Sequence, residues 1–483
     1  MEDGEILSAS GVALAQAIRD RRVTSRAVVE AHVTRARRVN PGLNAIIRDR
    51  YEAALAEATI ADEKVGSMHR DDLPELHGVP CTIKEAFAFE GMPNTSGLWA
   101  RRKVVATKDA TVVARLRAAG AIPLGVTNLS ELCMWFESSN KVWGRTNNAY
   151  DAGRTAGGSS GGEGAIVGAG ASPIGLGSDV GGSIRMPAFF NGVFGHKPTG
   201  GIVPSTGNHP PARNDVERFV TCGPIVRRAE DLMPVLRIIA GPDGIEERCV
   251  ASTLGDPSAV DLRSLTVYTV EKGPGAVDSA LVEAQRKAAD ALASRGVKVE
   301  RRTIRGLSRS FEIWSAMMDE GRAGESSFRE LMAAGGAFEP WKEIARFPMG
   351  RSQYTLPGLL LSVFEEVPAL MTSRARRILA LGKDLATELA DVLGGHGVML
   401  YPSFPRIAPR HHTPLLAPFQ FAYTAIFNVM QMPSTQVPLG LDKRGLPLGV
   451  QVAGPRGADH LTIAVAMALE HAFGGWQSPK RFA

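Results

Sequence analysis

Apolar residues recur every three or four positions from Gly11 to Ile18 and again from Arg26 to Val39. This spacing predicts two amphipathic helices, the second capped by Thr24 or Ser25, with Val28, Val29, His32, Val33 and Ala36 sharing one face. A histidine on such a face reads as a packed helix residue and not as a ligand or a base. A third helix, rich in alanine and glutamate, is predicted from about Tyr51 to Lys64. The pattern then shortens: a turn at His77-Gly78-Val79-Pro80 enters the largely apolar strand Cys81-Thr82-Ile83, which ends on Lys84. Asp109 is placed to cap a helix through Ala119, with Gly120 as its stop and the strand Ala121–Val126 after it.

Further on, Gly223–Leu232 reads as the start of a helix and Leu265–Val270 as a strand. An alanine-rich helix from Asp278 to Arg295 leads to the strand-like Val297–Val299. Residues from about Leu307 to Leu393 are mostly helical in pattern, with bulky Trp314, Met317, Met318, Trp341, Phe347 and Tyr354. Strands return at Gly397–Pro402, Ser434–Leu439 and Leu448–Val452, and a helix from about Asp459 to Phe473 closes the chain. Alternating helix and strand predict an α/β layered fold. No fixed-period repeat and no break in composition divide the chain, so one domain spanning 1–483 is expected.

Composition changes this picture little. The 44% hydrophobic and 22% charged residues are ordinary for a globular protein, and 55 basic residues against 50 acidic ones leave a net charge of only +5. That balance makes no case for nucleic acid or a membrane surface as partner. Cys81, Cys133, Cys222 and Cys249 are widely spaced, without the pairs that mark a disulfide framework or a zinc site. The acidic N-terminus lacks a secretory pattern, and no apolar run reaches the roughly 20 residues of a membrane span. A cytoplasmic protein is expected.

The chemistry concentrates in Gly157–Gly201. Two clusters, Gly157-Gly158-Ser159-Ser160-Gly161-Gly162 and Gly181-Gly182-Ser183, hold serines among glycines, where N–H groups can approach a bound atom closely. The core-type residues between them, such as Ile166, Val167, Ile174 and Leu176, argue against a flexible linker. A phosphate loop would need a lysine and a hydroxyl residue at its end, which Ser159–Gly164 does not offer. Gly157–Gly161 fits GxSxG, but Asp151–Ala156 before it is loop sequence and not the strand that a nucleophile elbow requires. A third option recruits Lys84, because a buried lysine kept neutral can act as the base for a serine.

Together, Gly78-Val79-Pro80 with Ile83-Lys84, the GGSSGG run, Asp179–Arg185 and Lys197-Pro198-Thr199-Gly200 resemble the amidase signature enzymes. The resemblance extends over most of the chain, with 24 residues between Ser159 and Ser183 and 75 between Lys84 and Ser159. It implies a mixed twisted β-sheet enclosed by helices, with a catalytic segment at about 76–240 and a variable helical region at about 300–395 shaping the pocket. It also implies Ser183 as nucleophile, Ser159 on a cis peptide as the bridging serine, and Lys84 as base. The N–H groups of Val180, Gly181, Gly182 and Ser183 would form the oxyanion hole. Ser160 would support the lysine, while Asp179 and Arg185 hold the loop. No metal or organic cofactor is implied.

Many members carry Lys-Asp-Asn in place of Lys84-Glu85-Ala86 and proline in place of Ala156, whereas Lys-Glu-x-Phe and GGSSGGEGA resemble the fatty acid amide hydrolase branch. Cys133-Met134-Trp135-Phe136 stand where the family often has small polar residues, and Phe189-Phe190 and Phe419–Tyr423 add bulk. An apolar site mouth is therefore expected, taking an aryl or alkyl amide, with carbamates and esters sharing the carbonyl geometry. The competing readings are a glutamine-hydrolysing amidotransferase subunit working in a complex and a non-catalytic binding protein. The expected partner is a small-molecule amide or carbamate, and homodimer formation is allowed.

Overall fold

Strands β2 (Pro80–Lys84), β3 (Ile122–Thr127) and β6 (Ile174–Asp179) are buried at every position. So are β7 (Phe194–Lys197), β8 (Thr221–Val226) and β11 (Gly397–Tyr401). Ile174–Asp179 and Phe194–Lys197 carry no strand pattern in sequence because glycine and polar residues interrupt their short apolar runs. The computed structural model describes residues 1–322, 326–364 and 372–482.

With β1 (Ile46–Asp49), β9 (Thr266–Thr269), β10 (Lys298–Arg301), β12 (Ser434–Leu441) and β13 (Pro447–Ala453), these strands form one eleven-stranded mixed sheet, and helices cover its faces. The strand order is β1-β3-β2-β6-β8-β7-β12-β13-β11-β9-β10, while β4 (Ser139–Asn140) and β5 (Gly144–Arg145) pair separately. Strand β2 runs parallel to both β3 and β6. Their carboxyl ends, at Thr127, Lys84 and Asp179, therefore emerge at one edge, where parallel α/β sheets place ligands.

The first helices form over Gly11–Arg19 and Ser25–Leu43, the second with Thr24 accepting from the Ala27 N–H as its cap. His32 is buried and bonded to the Val28 carbonyl, and burial pushes its ring down to about 3, with Arg227 adding to the effect. It is a neutral core residue.

Two sequence expectations are corrected. Gly223–Val226 belongs to β8, held between β6 and β7, and the next α-helix is Leu232–Ile239. Asp109 does not cap the helix Thr111–Ala118. It accepts from the Glu90 N–H at 2.8 Å and pairs with Arg117 at 2.6 Å, which turns its carboxylate away from the helix start.

In the region 300–395, helices run over Ser310–Gly321, Phe328–Ala333, Pro340–Arg346, Leu356–Phe364 and Thr372–Leu393. Residues 323–325 and 365–371 of that region lie outside the described residues. Among the described residues no helix is long and apolar enough to cross a membrane.

Candidate active site

Lys84 is the last residue of β2, and its side chain is fully buried. Its Nζ donates to Ser159 Oγ at 2.7 Å and to Ser178 Oγ at 2.9 Å. The nearby carboxyl groups are engaged elsewhere: Glu85 accepts from the Thr95 and Ser96 N–H groups, and Glu163 accepts from the Thr82 and Thr127 hydroxyls. A buried amine facing hydroxyls can exchange a proton with them, which an amine locked in an ion pair cannot do readily.

The Gly158–Ser159 peptide is cis, as the resemblance implied. The backbone of Trp135–Glu137 lies so close to Gly158 that a Cβ there would sit 2.6 Å from the Trp135 carbonyl oxygen. Ser138 fixes the turn from below, donating to the Ser159 carbonyl at 3.0 Å and accepting from the Gly161 N–H at 2.9 Å. Ser160 does not reach the lysine. Its hydroxyl donates to the Ser178 carbonyl at 3.3 Å, and Ser178, which the sequence did not single out, is the second hydroxyl on Nζ. The Ser160 N–H bonds the Ser183 carbonyl at 3.2 Å and so joins the two glycine-rich clusters.

Asp179 ends β6 and organises the turn that follows. Its Oδ1 accepts from the Gly182 N–H at 2.7 Å and its Oδ2 from the Ile184 N–H at 3.0 Å. Arg185 grips both oxygens, at 2.9 and 3.1 Å, and reaches the Thr424 carbonyl, Asn428 and Gln451 beyond. Both side chains are fully buried, so this is no surface ion pair. Burial alone would push the Asp179 carboxyl up, but the Arg185 guanidinium and the turn's N–H groups hold it well below the usual carboxylate range.

The same geometry bears on the four N–H groups expected at the oxyanion hole. The Gly182 N–H is taken by Asp179, while those of Val180, Gly181 and Ser183 have no acceptor among the described residues. Gly182 also has a φ of +113° with the Thr424 side chain against it, a place where only glycine fits. Ser183 is 7% exposed, against 1% for Ser159 and 0% for Lys84, so solvent access rises from lysine to Ser183.

The expected pocket residues separate into two groups. Trp135 and Phe136 stack at 4.6 Å between ring centroids, and Phe136 lies 6.2 Å from Phe421. Phe421 packs against Gly181 and meets Trp314 edge-on at 5.0 Å. Trp314, on the helix Ser310–Gly321, donates its indole N–H to the Val180 carbonyl at 3.0 Å. Met134 instead joins the cluster of Leu132, Phe328, Met332 and Tyr354. The Cys133 thiol lies 4.0 Å from the His209 carbonyl. Phe189 and Phe190 are buried and back this wall from the core, whereas Phe419 is exposed.

Glu131, just before these residues, joins the wall to the helix Leu356–Phe364. Its Oε2 accepts from the Thr355 N–H and hydroxyl at 3.0 and 2.7 Å, and its buried Oε1 has no partner among the described residues. Burial pushes the carboxyl up to about 7 from its ordinary 4.5 against the opposing pull of Thr355. The native state then binds more protons than the unfolded chain between those values, so this contribution to stability is present at low pH and is lost as pH rises through about 7. Melting by calorimetry should therefore give a lower Tm at pH 8 than at pH 5.5, and Glu131→Gln should shrink that difference. An unchanged difference in the variant would assign the effect to other buried carboxyls.

A family model described as Amidase matches residues 27–463. Fatty-acid amide hydrolase 2 from Homo sapiens is 46% identical over 493 aligned residues, covering 99% of this chain and 91% of the relative. Indoleacetamide hydrolase from Bradyrhizobium diazoefficiens is 30% identical, covering 98% of this chain and 88% of the relative. Among solved structures, 6-aminohexanoate cyclic dimer hydrolase complexed with substrate superposes with a TM-score of 0.83 at 25% identity, covering 99% of this chain and 100% of that one.

Proposed function

The chain belongs to the amidase family, and on that premise we propose that it hydrolyses amides of apolar acyl groups through Ser183, Ser159 and Lys84. The observation that carries this reading is the buried 2.7 Å contact between Lys84 Nζ and Ser159 Oγ, with the N–H of the next residue, Ser160, bonded to the Ser183 carbonyl. As the free amine, Lys84 takes the Ser159 hydroxyl proton while Ser159 takes that of Ser183, whose Oγ attacks the carbonyl carbon. The negative charge that forms on the carbonyl oxygen meets the N–H groups of Gly181, Ser183 and Val180. Such donors are worth about 10²–10³-fold each in rate when aimed at a developing oxyanion. Asp179 and Arg185 act through the backbone by holding the turn.

When the C–N bond breaks, the proton returns through Ser159 to the leaving nitrogen, and the amine departs. Water then attacks the acyl-enzyme by the same relay and releases the acid. The apolar preference rests on Trp135, Phe136, Trp314 and Phe421 gathered beside the turn. It is supported by similarity to a fatty-acid amide hydrolase and an indoleacetamide hydrolase. Carbamates and esters present the same carbonyl to the same groups.

A substrate series tests this: alkyl and aryl acyl amides, a matched carbamate and ester, and glutamine, each given to the purified chain. The apolar amides should exceed glutamine in kcat/KM by about 10²-fold or more, since a polar side chain leaves its hydrogen bonds unmade in such a wall. Glutamine turned over as well as the apolar amides would overturn the preference.

A further inference from the structure

Glu163 is a fully buried carboxyl that the relay above does not use. It sits in the first turn of the helix Gly161–Gly168, four residues after Ser159. Its Oε2 accepts from Thr82 Oγ1 at 2.5 Å and its Oε1 from Thr127 Oγ1 at 2.7 Å. Thr82 precedes Lys84 by two residues on β2, so the two side chains leave the same face of the strand. Thr127 is the residue opposite Lys84 on β3. Gly175, opposite Thr82 on β6, makes the room: a Cβ there would collide with Glu163 Oε2. Three adjacent strands are thus fitted to one carboxyl directly beside the base.

Resting on the reading of Lys84 as base, we propose that Glu163 is a positioning residue that ties β2 to β3 and to the helix following Ser159, so that the amine stays on the Ser159 hydroxyl. It touches neither substrate nor the reacting atoms. The charged or titratable groups that feel it are Lys84 and the Cys81 thiol. Burial pushes the carboxyl up to about 8 against the pull of the two threonine hydroxyls and of Lys84, so it works as an uncharged acid near neutrality. Ionised, it would place a negative charge directly beside the relay.

The test compares Glu163→Ala, Glu163→Gln and Thr127→Val with the wild type on one apolar amide, reading kcat, KM and their pH dependence. Glu163→Ala should lower kcat about 10–100-fold with KM changed less than about threefold, as expected for a misaligned base. Glu163→Gln keeps an uncharged group of the same shape and should restore kcat to within about fivefold. The pH profile of kcat should differ between wild type and the glutamine variant above about pH 8, where only the wild type has this carboxyl to ionise. Thr127→Val should lower kcat in the same direction, and it gives the reading if the alanine variant fails to fold. An alanine variant with wild-type kcat, or a glutamine variant as impaired as alanine with an unshifted pH profile, would overturn the proposal. Failure of the underlying reading shows separately, as wild-type activity in a Lys84 variant.

Discussion

Ser183→Ala is expected to abolish amide hydrolysis, with kcat/KM falling on the order of 10⁴-fold or more, while the protein stays folded. The two halves of that expectation have different grounds. Activity is lost because neither neighbouring serine can stand in: Ser159 is held by Lys84, and Ser160 faces the Ser178 carbonyl. Stability is kept because the Ser183 backbone carbonyl, which receives the Ser160 N–H, survives the substitution. A fluorophosphonate should label the wild type at Ser183 and leave the alanine variant unlabelled. Retained turnover would remove Ser183 from its role, and label found on Ser159 would reverse the two serines.

Lys84→Ala should lower amide turnover near neutral pH by about 10²–10⁴-fold, the usual contribution of a positioned base. Lys84→Met is the better-behaved partner variant, since it fills most of the buried volume and leaves no cavity at the end of β2. In both, Ser159 and Ser178 lose their shared amine partner, so the loss should sit in kcat with substrate binding little changed. Part of the rate should return at high pH, where hydroxide from solvent substitutes for the missing base. Neutral-pH activity equal to wild type in either variant would end the lysine-base mechanism.

The site was legible in the chain to the extent that its parts are short and local. Lys84 at a strand end, serines flanked by glycines, and Asp179 six residues before Arg185 are visible in the letters, and the structure brings them together. Contacts decided by rotamer were not legible. Ser160 and Ser178 are both small hydroxyl residues near the lysine, and only the register of β6 against β2 selects Ser178. Nor does anything in GGS show that Asp179 folds back onto the Gly182 N–H.

The fold shows the same division. Amphipathic helices such as Ser25–Leu43 announce themselves through their spacing, whereas a strand as broken by glycine and polar residues as Ile174–Asp179 does not. Gly223–Val226 was misread because a strand between two neighbours leaves only a short apolar run, which a helix could also have. The arrival of Trp314 beside Phe421 depends on how a helix more than 100 residues further on packs over the turn, and no local pattern carries that.

The Trp314 indole bonded to the Val180 carbonyl bears on how such an enzyme can diversify. One side chain belongs to the aromatic cluster beside the turn and also bonds the backbone three residues before Ser183. A lineage that remodels the helix Ser310–Gly321 to admit a new acyl group therefore shifts the turn as well, so selectivity and turnover do not drift independently. Divergence toward new substrates would proceed through paired changes, one reshaping the wall and another resetting the turn, and grafting these helices between relatives would transfer preference only when the residues that seat Val180 travel with them.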